Sequence, residues 1–222
     1  IDGNLVMATS GTLLSQIIQF ALKHGLVGME KLIGIPGTIG GAVRGNAGAF
    51  GLEITSIFEK AQIYRPISDL SISSSSSEQK SEIIELGHDY FKFGYRHSTI
   101  KHSGEIILKV WLKLKYGNTE TEMAKVQQII IARSGKHPIG KSSGSFFKNP
   151  SKNLVGEGLS AGYLIDQCGF KGRHNDGGAY ISEKHGNFLM NNGKATMADV
   201  LKLCLEIQQA VKVKFGIELE KE

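Results

Sequence analysis

The chain has 222 residues, of which 41% are hydrophobic and 21% are charged, a balance typical of a globular protein with a sizeable core. Its 26 basic and 21 acidic residues give a formal net charge of +5. The basic residues are dispersed, which argues against a nucleic-acid surface and suits small anions. There is no apolar stretch of about eighteen residues and no signal peptide, so neither a membrane span nor secretion is predicted.

The two cysteines give little information about function. Cys168 and Cys204 lie far apart without a CxxC spacing, which predicts reduced thiols in a cytoplasmic protein and no metal site. Nothing in the sequence predicts an oligomeric state.

The first elements are a helix and a glycine-rich segment. Apolar residues at helical spacing predict a helix over residues 11–25. The segment GIPGTIGGAVRGNAGAFG, residues 34–51, contains seven glycines in eighteen residues and predicts a compact loop without regular structure. Glycines let backbone N–H groups approach an anion, so the segment is either an anion or cofactor cradle or a set of tight turns.

Strands and helices then alternate irregularly. Strands are predicted over residues 55–64 and 105–117, with an exposed hairpin tip or insertion over 68–86 and a helix over 119–136. A domain boundary is expected near residues 116–120, which separates residues 1–117 from 118–222.

The second half contains a further serine-centred motif. GSFFKNP, residues 144–150, is predicted to be a loop. A helix over 159–170, short strands within 178–193, a long helix over 195–216 and a final strand follow. The irregular mixture predicts an α+β fold. By itself, Ser145 in this loop reads as a turn-forming hydroxyl.

Five segments, in order between residues 25 and 203, resemble the UDP-N-acetylenolpyruvoylglucosamine reductase family: GLVGMEKLIGIPGTIGGAVRGNAGAFG, FGYRHS, GKHPIGKSSGSFFKNP, SAGYLIDQCGFKG and ISEKHGNFLMNNGKATMADVLKL. The resemblance implies a bacterial cytoplasmic flavoenzyme that contains FAD. It would use NADPH to reduce UDP-N-acetylglucosamine enolpyruvate to UDP-N-acetylmuramate for peptidoglycan. It also implies an FAD-binding α+β domain like that of vanillyl-alcohol oxidase, followed by an α+β substrate domain. A first FAD-binding segment is expected before Ile1, and a few residues after Glu222.

The resemblance assigns three catalytic residues. Ser145 would donate a proton to carbon, Arg96 would bind the substrate carboxylate through two parallel hydrogen bonds, and Glu222 would assist protonation. His97 is left out because strand alternation would turn its side chain to the opposite face.

Binding residues are also implied by the resemblance, and no metal site is. The cofactor set is Gly34, Ile35, Pro36, Gly37, Thr38, Gly40, Gly41, Asn46, Ala47 and Gly48. The substrate set is Tyr95, Lys136, Asn149, Tyr163 and Lys171. Two alternatives are another FAD-dependent oxidoreductase of this architecture and a non-catalytic chain that binds a UDP-sugar.

Overall fold

A computed structural model describes residues 1–66, 81–151 and 159–222. These residues form two compact units, Ile1–Ile131 and Ala132–Glu222. This division differs from the expected one at residues 117 and 118. The reason is that the helix after the expected boundary packs Val126 and Ile129 against the core of the first unit. The serine run within the predicted insertion lies outside the described residues.

The first unit contains strand β1 (Leu5–Thr9), helix α1 (Leu14–Lys23), strand β2 (Leu26–Val27), a 3-10 turn (Glu30–Leu32), helix α2 (Ile39–Arg44), strands β3 (Gly48–Ala49) and β4 (Leu52–Glu53), a 3-10 turn (Ile54–Ser56), strands β5 (Phe58–Arg65) and β6 (Glu82–Gly87), helices α3 (His88–Phe91) and α4 (Ile100–Ser103), strands β7 (Ile106–Lys113) and β8 (Lys115–Tyr116), and helix α5 (Thr119–Lys136), which extends into the second unit.

A four-stranded antiparallel sheet in the order β1-β7-β5-β6 forms the centre of this unit. Ala61 on β5 lies opposite Val110 on β7, and both side chains are fully buried. Helix α1 adds Ile18 and Ala21 to the same core, because residues three and four apart share one helical face. The helix predicted over 11–25, the strands over 55–64 and 105–117 and the helix over 119–136 are confirmed.

The glycine segment, residues 34–51, was predicted wrongly to lack regular structure. It contains the six-residue helix α2 and the short strand β3. Helix α2 forms despite its glycines because Ile39 and Val43 are buried in the core. Tertiary packing therefore overrides the poor helix propensity of glycine here.

The second unit contains strand β9 (Lys141–Ser145), helix α6 (Ala161–Gln167), strands β10 (Ala179–Ile181) and β11 (Phe188–Asn191), and helix α7 (Met197–Phe215). Its three strands pair antiparallel in the order β10-β11-β9. Helix α7 begins with a capping box in which the side chains of Thr196 and Asp199 bond each other's backbone N–H groups. Its C-cap, Gly216, has a φ of 71°, which glycine adopts without strain.

The predicted final strand is reduced to one isolated bridge between Phe147 and Lys221. Ile217 and Leu219 are buried in the core of the second unit, and their burial holds this C-terminal segment, residues 217–222. Both units combine helices with antiparallel sheets, so a mixed α+β fold is confirmed. No helix in the described part of the chain has the length and apolar character needed to cross a membrane.

Candidate active site

Helix α2 fixes the middle of the glycine segment. Thr38 caps this helix, and its Oγ1 accepts a hydrogen bond of 3.4 Å from the N–H of Gly41. The N–H of Gly40 donates to the carbonyl of Ser10 at 2.9 Å. A Cβ at Gly40 would lie 2.7 Å from the Cβ of Ser10, closer than real Cβ atoms approach. Glycine is therefore required at position 40 by internal packing.

Asn46 connects the glycine segment to two other loops. It is fully buried and adopts the left-handed conformation, with a φ of 43°. Its Nδ2 donates to Glu53 Oε2 and to the carbonyl of Gly94, both at 2.9 Å. Its Oδ1 accepts from the N–H of Thr55 at 3.1 Å. These three bonds give the Asn46 side chain a structural role in holding the segment.

Arg96 lies in a tight turn rather than the strand that was expected. Gly94 and His97 exchange two backbone hydrogen bonds, of 3.0 and 3.1 Å, so Tyr95 and Arg96 occupy the turn between them. The expectation that His97 faces away through strand alternation is therefore wrong. Arg96 has a φ of 55°, a conformation rare outside glycine.

The guanidinium of Arg96 is directed toward the glycine segment. Its Nη2 donates to the carbonyl of Gly48 at 3.0 Å, and its Cζ lies 4.9 Å from the ring centre of Tyr95. Two motifs that lie almost fifty residues apart in sequence thus meet in the first unit. Tyr95 is 46% exposed beside this contact.

The ten predicted cofactor residues divide by environment. Gly34, Pro36, Gly37 and Gly41 are exposed, while Ile35, Thr38, Ala47 and Gly48 are half-buried and Gly40 and Asn46 are buried. A Cβ at Gly37, which has a φ of 120°, would meet nothing within 4 Å. A Cβ at Gly48 would lie 2.9 Å from the carbonyl of Leu52. The edge at residues 34–38 therefore fits a backbone-lined cofactor cradle, while Gly40 and Gly48 are required by close packing.

The first two residues of the serine loop, residues 144–150, belong to strand β9, so the prediction of a loop throughout is wrong for Gly144 and Ser145. Ser145 ends β9 and pairs with Phe188 on β11. The register shifts between Phe188 and Met190, because three steps on β9 oppose two on β11. Gly144, with a φ of 85°, supplies the left-handed residue that such a bulge requires. Bulges of this kind re-aim the next side chain, which here is that of Ser145.

A neighbouring serine makes the local turn bond. The Oγ of Ser142 accepts a 3.0 Å hydrogen bond from the N–H of Gly144. The side chain of Ser145 is exposed at the end of the same strand. The turn-forming role considered for Ser145 is therefore filled by Ser142.

The C-terminal segment lies alongside the serine loop. The N–H of Glu222 donates to the carbonyl of Phe146 at 3.0 Å, and the N–H of Lys148 donates to the carbonyl of Glu220 at 2.8 Å. The Nζ of Lys148 is also 3.1 Å from Glu220 Oε2. The backbone of Glu222 is thus bonded to Phe146, the residue that follows Ser145.

Two predicted substrate residues lie where helix α6 begins. Asn149 Oδ1 accepts a 3.0 Å hydrogen bond from the N–H of Ala161, which ties the serine loop to this helix. The Oγ of Ser160 caps the helix by accepting from the N–H of Tyr163. Tyr163 is 47% exposed in the first turn, so its ring is accessible beside the loop's anchoring point.

Two further predicted substrate residues, Lys136 and Lys171, both lower the pKa of the same histidine, His185. Burial is the main reason that the pKa of His185 lies below its ordinary value, and His137 is the next. The positive charges of Lys171 and Lys136 lower the pKa of His185 further. Lys171 Nζ also lies 3.6 Å from Asp166 Oδ2. Both lysines therefore contribute positive charge near His185, and Asp166 partly offsets the charge of Lys171.

Nothing in the local sequence singles out Asn187, which makes three hydrogen bonds to the serine loop. It lies between Gly186 and Phe188, where an asparagine reads as a turn residue. Its partners are 40 positions away. Only a known pairing of β9 with β11 would have revealed it.

Known proteins are similar to this chain over nearly its whole length. Residues 136–222 match the family described as UDP-N-acetylenolpyruvoylglucosamine reductase, C-terminal domain. A UDP-N-acetylenolpyruvoylglucosamine reductase from Thermotoga petrophila is 39% identical over 223 residues, covering 100% of this chain and 72% of the relative. The chain belongs to the UDP-N-acetylenolpyruvoylglucosamine reductase family.

Other family members support this assignment. A reductase from Caldanaerobacter subterraneus is 39% identical over 220 residues, covering 99% of this chain. The chain spans 66% of that relative's length, just under two thirds. The crystal structure of the reductase (MurB) from Thermus caldophilus matches 98% of this chain and 71% of its own, with a TM-score of 0.76 and 36% identity. The family predicted from the five segments is confirmed.

Proposed function

We propose that this chain forms part of an enzyme that reduces UDP-N-acetylglucosamine enolpyruvate to UDP-N-acetylmuramate with NADPH, for peptidoglycan synthesis in the bacterial cytoplasm. The observation that supports this most directly is the pairing of the C-terminal segment with the serine loop. It brings the backbone of Glu222 to Phe146, the residue after Ser145. Family membership supplies the reaction that these two residues would serve.

The residues that would hold FAD are those on the exposed edge of the glycine segment. Gly34 and Gly37 would offer backbone to an anion, because no Cβ shields it there, and Thr38 and Gly41 would continue this edge into the start of helix α2. Gly40, Asn46 and Gly48 would shape that edge through their internal contacts. When bound, the flavin supplies the hydride that the enolpyruvyl double bond accepts, and NADPH restores it.

Ser145 would complete the reduction by giving a proton to carbon two of the enolpyruvyl group. Its hydroxyl proton moves to the carbon on which negative charge develops, and the alkoxide must then be neutralised. A serine hydroxyl is a weak acid in water, so it needs fixed geometry and nearby polar groups to act. The carboxyl group of Glu222 is proposed to pass a proton from solvent to the Ser145 alkoxide, which restores the hydroxyl.

Positively charged side chains would bind the carboxylate and the diphosphate of the substrate. The guanidinium of Arg96, oriented by the Gly48 carbonyl, suits a carboxylate, because it can form two parallel hydrogen bonds. Lys136 and Lys171 would attract the diphosphate of the nucleotide, since both already act electrostatically on His185. Tyr95, Asn149 and Tyr163 are proposed as the remaining substrate contacts.

The test separates the two half-reactions in the full-length gene product by stopped-flow absorbance of the flavin. Ser145→Ala should leave flavin reduction by NADPH unchanged. It should slow reoxidation by the enolpyruvyl substrate about 10²- to 10⁴-fold, the usual contribution of a general acid. Ser143→Ala, an exposed serine on the same strand, is the matched control and should affect neither step.

Two outcomes would contradict the proposal. Equal slowing of both half-reactions by Ser145→Ala would show that Ser145 is structural. A protein that is colourless after purification and takes up no added FAD would favour the alternative of a UDP-sugar-binding protein without turnover.

A further inference from the structure

Asn187 makes an unusual set of contacts at the start of β11. It is only 3% exposed. Its Oδ1 accepts from the N–H of Phe147 at 2.9 Å, and its Nδ2 donates to the carbonyl of Phe147 at 2.8 Å. One buried amide therefore pairs with both backbone groups of the same residue, which fixes that residue's position and orientation.

The main chain of Asn187 adds two more contacts. Its carbonyl accepts from the N–H of Phe146 at 2.9 Å, and its own N–H donates to His185 Nδ1 at 3.1 Å. Asn187 thus makes three hydrogen bonds to the two residues that follow Ser145. The bond to His185 holds the backbone of Asn187 in turn, and it requires Nδ1 of that histidine to be unprotonated.

The backbone after Ser145 is held from two directions. Asn187 bonds Phe146 and Phe147 from the side of β11, and Glu222 bonds the Phe146 carbonyl from the C-terminal segment. On the other side, Ser145 follows the bulge at Gly144, where the regular ladder is interrupted. Its orientation therefore depends on the residues after it more than on the strand before it.

We propose that Asn187 is a positioning residue for Ser145: by bonding the backbone of Phe146 and Phe147, it sets the direction of the Ser145 hydroxyl and its spacing from Glu222. This inference rests on the proposed role of Ser145 as a proton donor. Asn187 itself touches no reacting atom, since its side chain is buried and its amide is used by Phe147. Its effect on the reaction is exerted through Ser145.

The experiment compares Asn187→Ala with Asn191→Ala in the full-length gene product. Asn191 ends the strand that Asn187 precedes, and its side chain makes three hydrogen bonds, to Gly193 and Ala195, away from the serine loop. Asn187→Ala should slow flavin reoxidation by the enolpyruvyl substrate about 10- to 100-fold, the scale of an ångström-size misplacement. Flavin reduction by NADPH should be unchanged, and Asn191→Ala should change neither rate.

A double-mutant cycle identifies the route of the effect. If Asn187 acts through Ser145, Asn187→Ala should cause no further slowing in the Ser145→Ala background. Equal slowing in both backgrounds would overturn this inference and leave the role of Ser145 intact. Normal reoxidation in Ser145→Ala alone would instead contradict the proposed function.

A second variant covers the case in which Asn187→Ala does not fold. Asn187→Asp keeps the side-chain shape and the acceptor for the Phe147 N–H but loses the donor to the Phe147 carbonyl. The same cycle with Asn187→Asp should show reoxidation slowed in the Ser145 protein and unchanged in Ser145→Ala. Additive slowing would again overturn the inference.

Discussion

Among the residues that the structure describes, each unit has one buried asparagine beside its candidate residues, and the two asparagines bond different kinds of partner. Asn46 of the first unit bonds two loops and a carboxylate, at Gly94, Thr55 and Glu53, in a left-handed conformation. The side chain and carbonyl of Asn187, in the second unit, bond one loop only, at Phe146 and Phe147. Asn46 therefore connects three segments of the first unit, whereas Asn187 fixes the backbone of one loop in the second unit.

This difference predicts whether a substitution mainly reduces the stability of the fold or the rate of the reaction. Around Asn46, helix α2 contributes Ile39 and Val43 to the main core, so changes there should reduce the stability of the unit. Around Asn187, the serine loop is held largely by backbone hydrogen bonds to β11 and the C-terminal segment. Changes there should affect the reaction more than the fold.

The largest expected effect on stability is that of Asn46→Ala. It removes three hydrogen bonds, leaves the Thr55 N–H without its partner, takes one of two donors from the Gly94 carbonyl, and places alanine at a positive φ. We expect a loss of about 4 kcal/mol in the free energy of unfolding. Urea unfolding followed by circular dichroism measures it. Asn187→Ala should lower the free energy of unfolding by about 2 kcal/mol. A larger loss from Asn187→Ala than from Asn46→Ala would contradict the proposed difference between the two asparagines.

A smaller effect is expected from Gly40→Ala, about 2 kcal/mol of destabilisation through overpacking against Ser10. Gly41→Ala is the matched control, because its Cβ would lie 3.8 Å from Thr38 Oγ1, in ordinary contact. There the reduced freedom of the unfolded chain should stabilise the protein by about 0.5 kcal/mol. If thermal unfolding shifted equally for both variants, packing would not explain the glycine at position 40.

The first unit also contains a pH-dependent contact. Burial alone would raise the pKa of Glu105, but hydrogen bonds from Tyr90, Ser103 and Arg65 outweigh it and lower that pKa below its ordinary 4.5. A lowered pKa in the folded state stabilises the protein above pH 4.5, and this stabilisation is lost as the pH falls through the lowered value.

Glu105→Gln should therefore cost about 1 kcal/mol at neutral pH. The difference from the unaltered protein in urea unfolding should shrink below the ordinary carboxyl pKa of 4.5. A difference that stayed constant down to acidic pH would contradict the charge-assisted origin of this contact.

The smallest effect is expected at the C-terminal segment. The Lys148–Glu220 ion pair is 29% and 76% exposed, so Glu220→Gln should change the free energy of unfolding by less than about 0.5 kcal/mol. Gln208→Ala should cost about 1 kcal/mol, because Gln208 Nε2 donates to the partly buried carbonyl of Leu219 at 2.7 Å. A larger loss from Glu220→Gln would show that the ion pair, rather than burial and backbone bonding, holds the segment.

Much of the secondary structure could be predicted because its signals are local. The apolar spacing in α1, the boundaries of α5 and the Thr196 start of α7 depend on residues within a few positions of one another. Helix α2 could not be predicted, because its burial against distant strands outweighs the glycines that oppose it. Strand β1 was also missed, because five residues give little periodicity before they pair with β7.

The order of the five segments determined the family, and with it the serine, arginine and glutamate proposed for the reaction. Tertiary structure alone decided how these residues are held: the bulge at Gly144, the turn at Arg96, and the pairing of Glu222 with Phe146. It also revealed Asn187. Motifs record residue identity and spacing along the chain. The direction of a side chain depends on hydrogen bonds between positions that lie 40 or more residues apart, which no local pattern encodes.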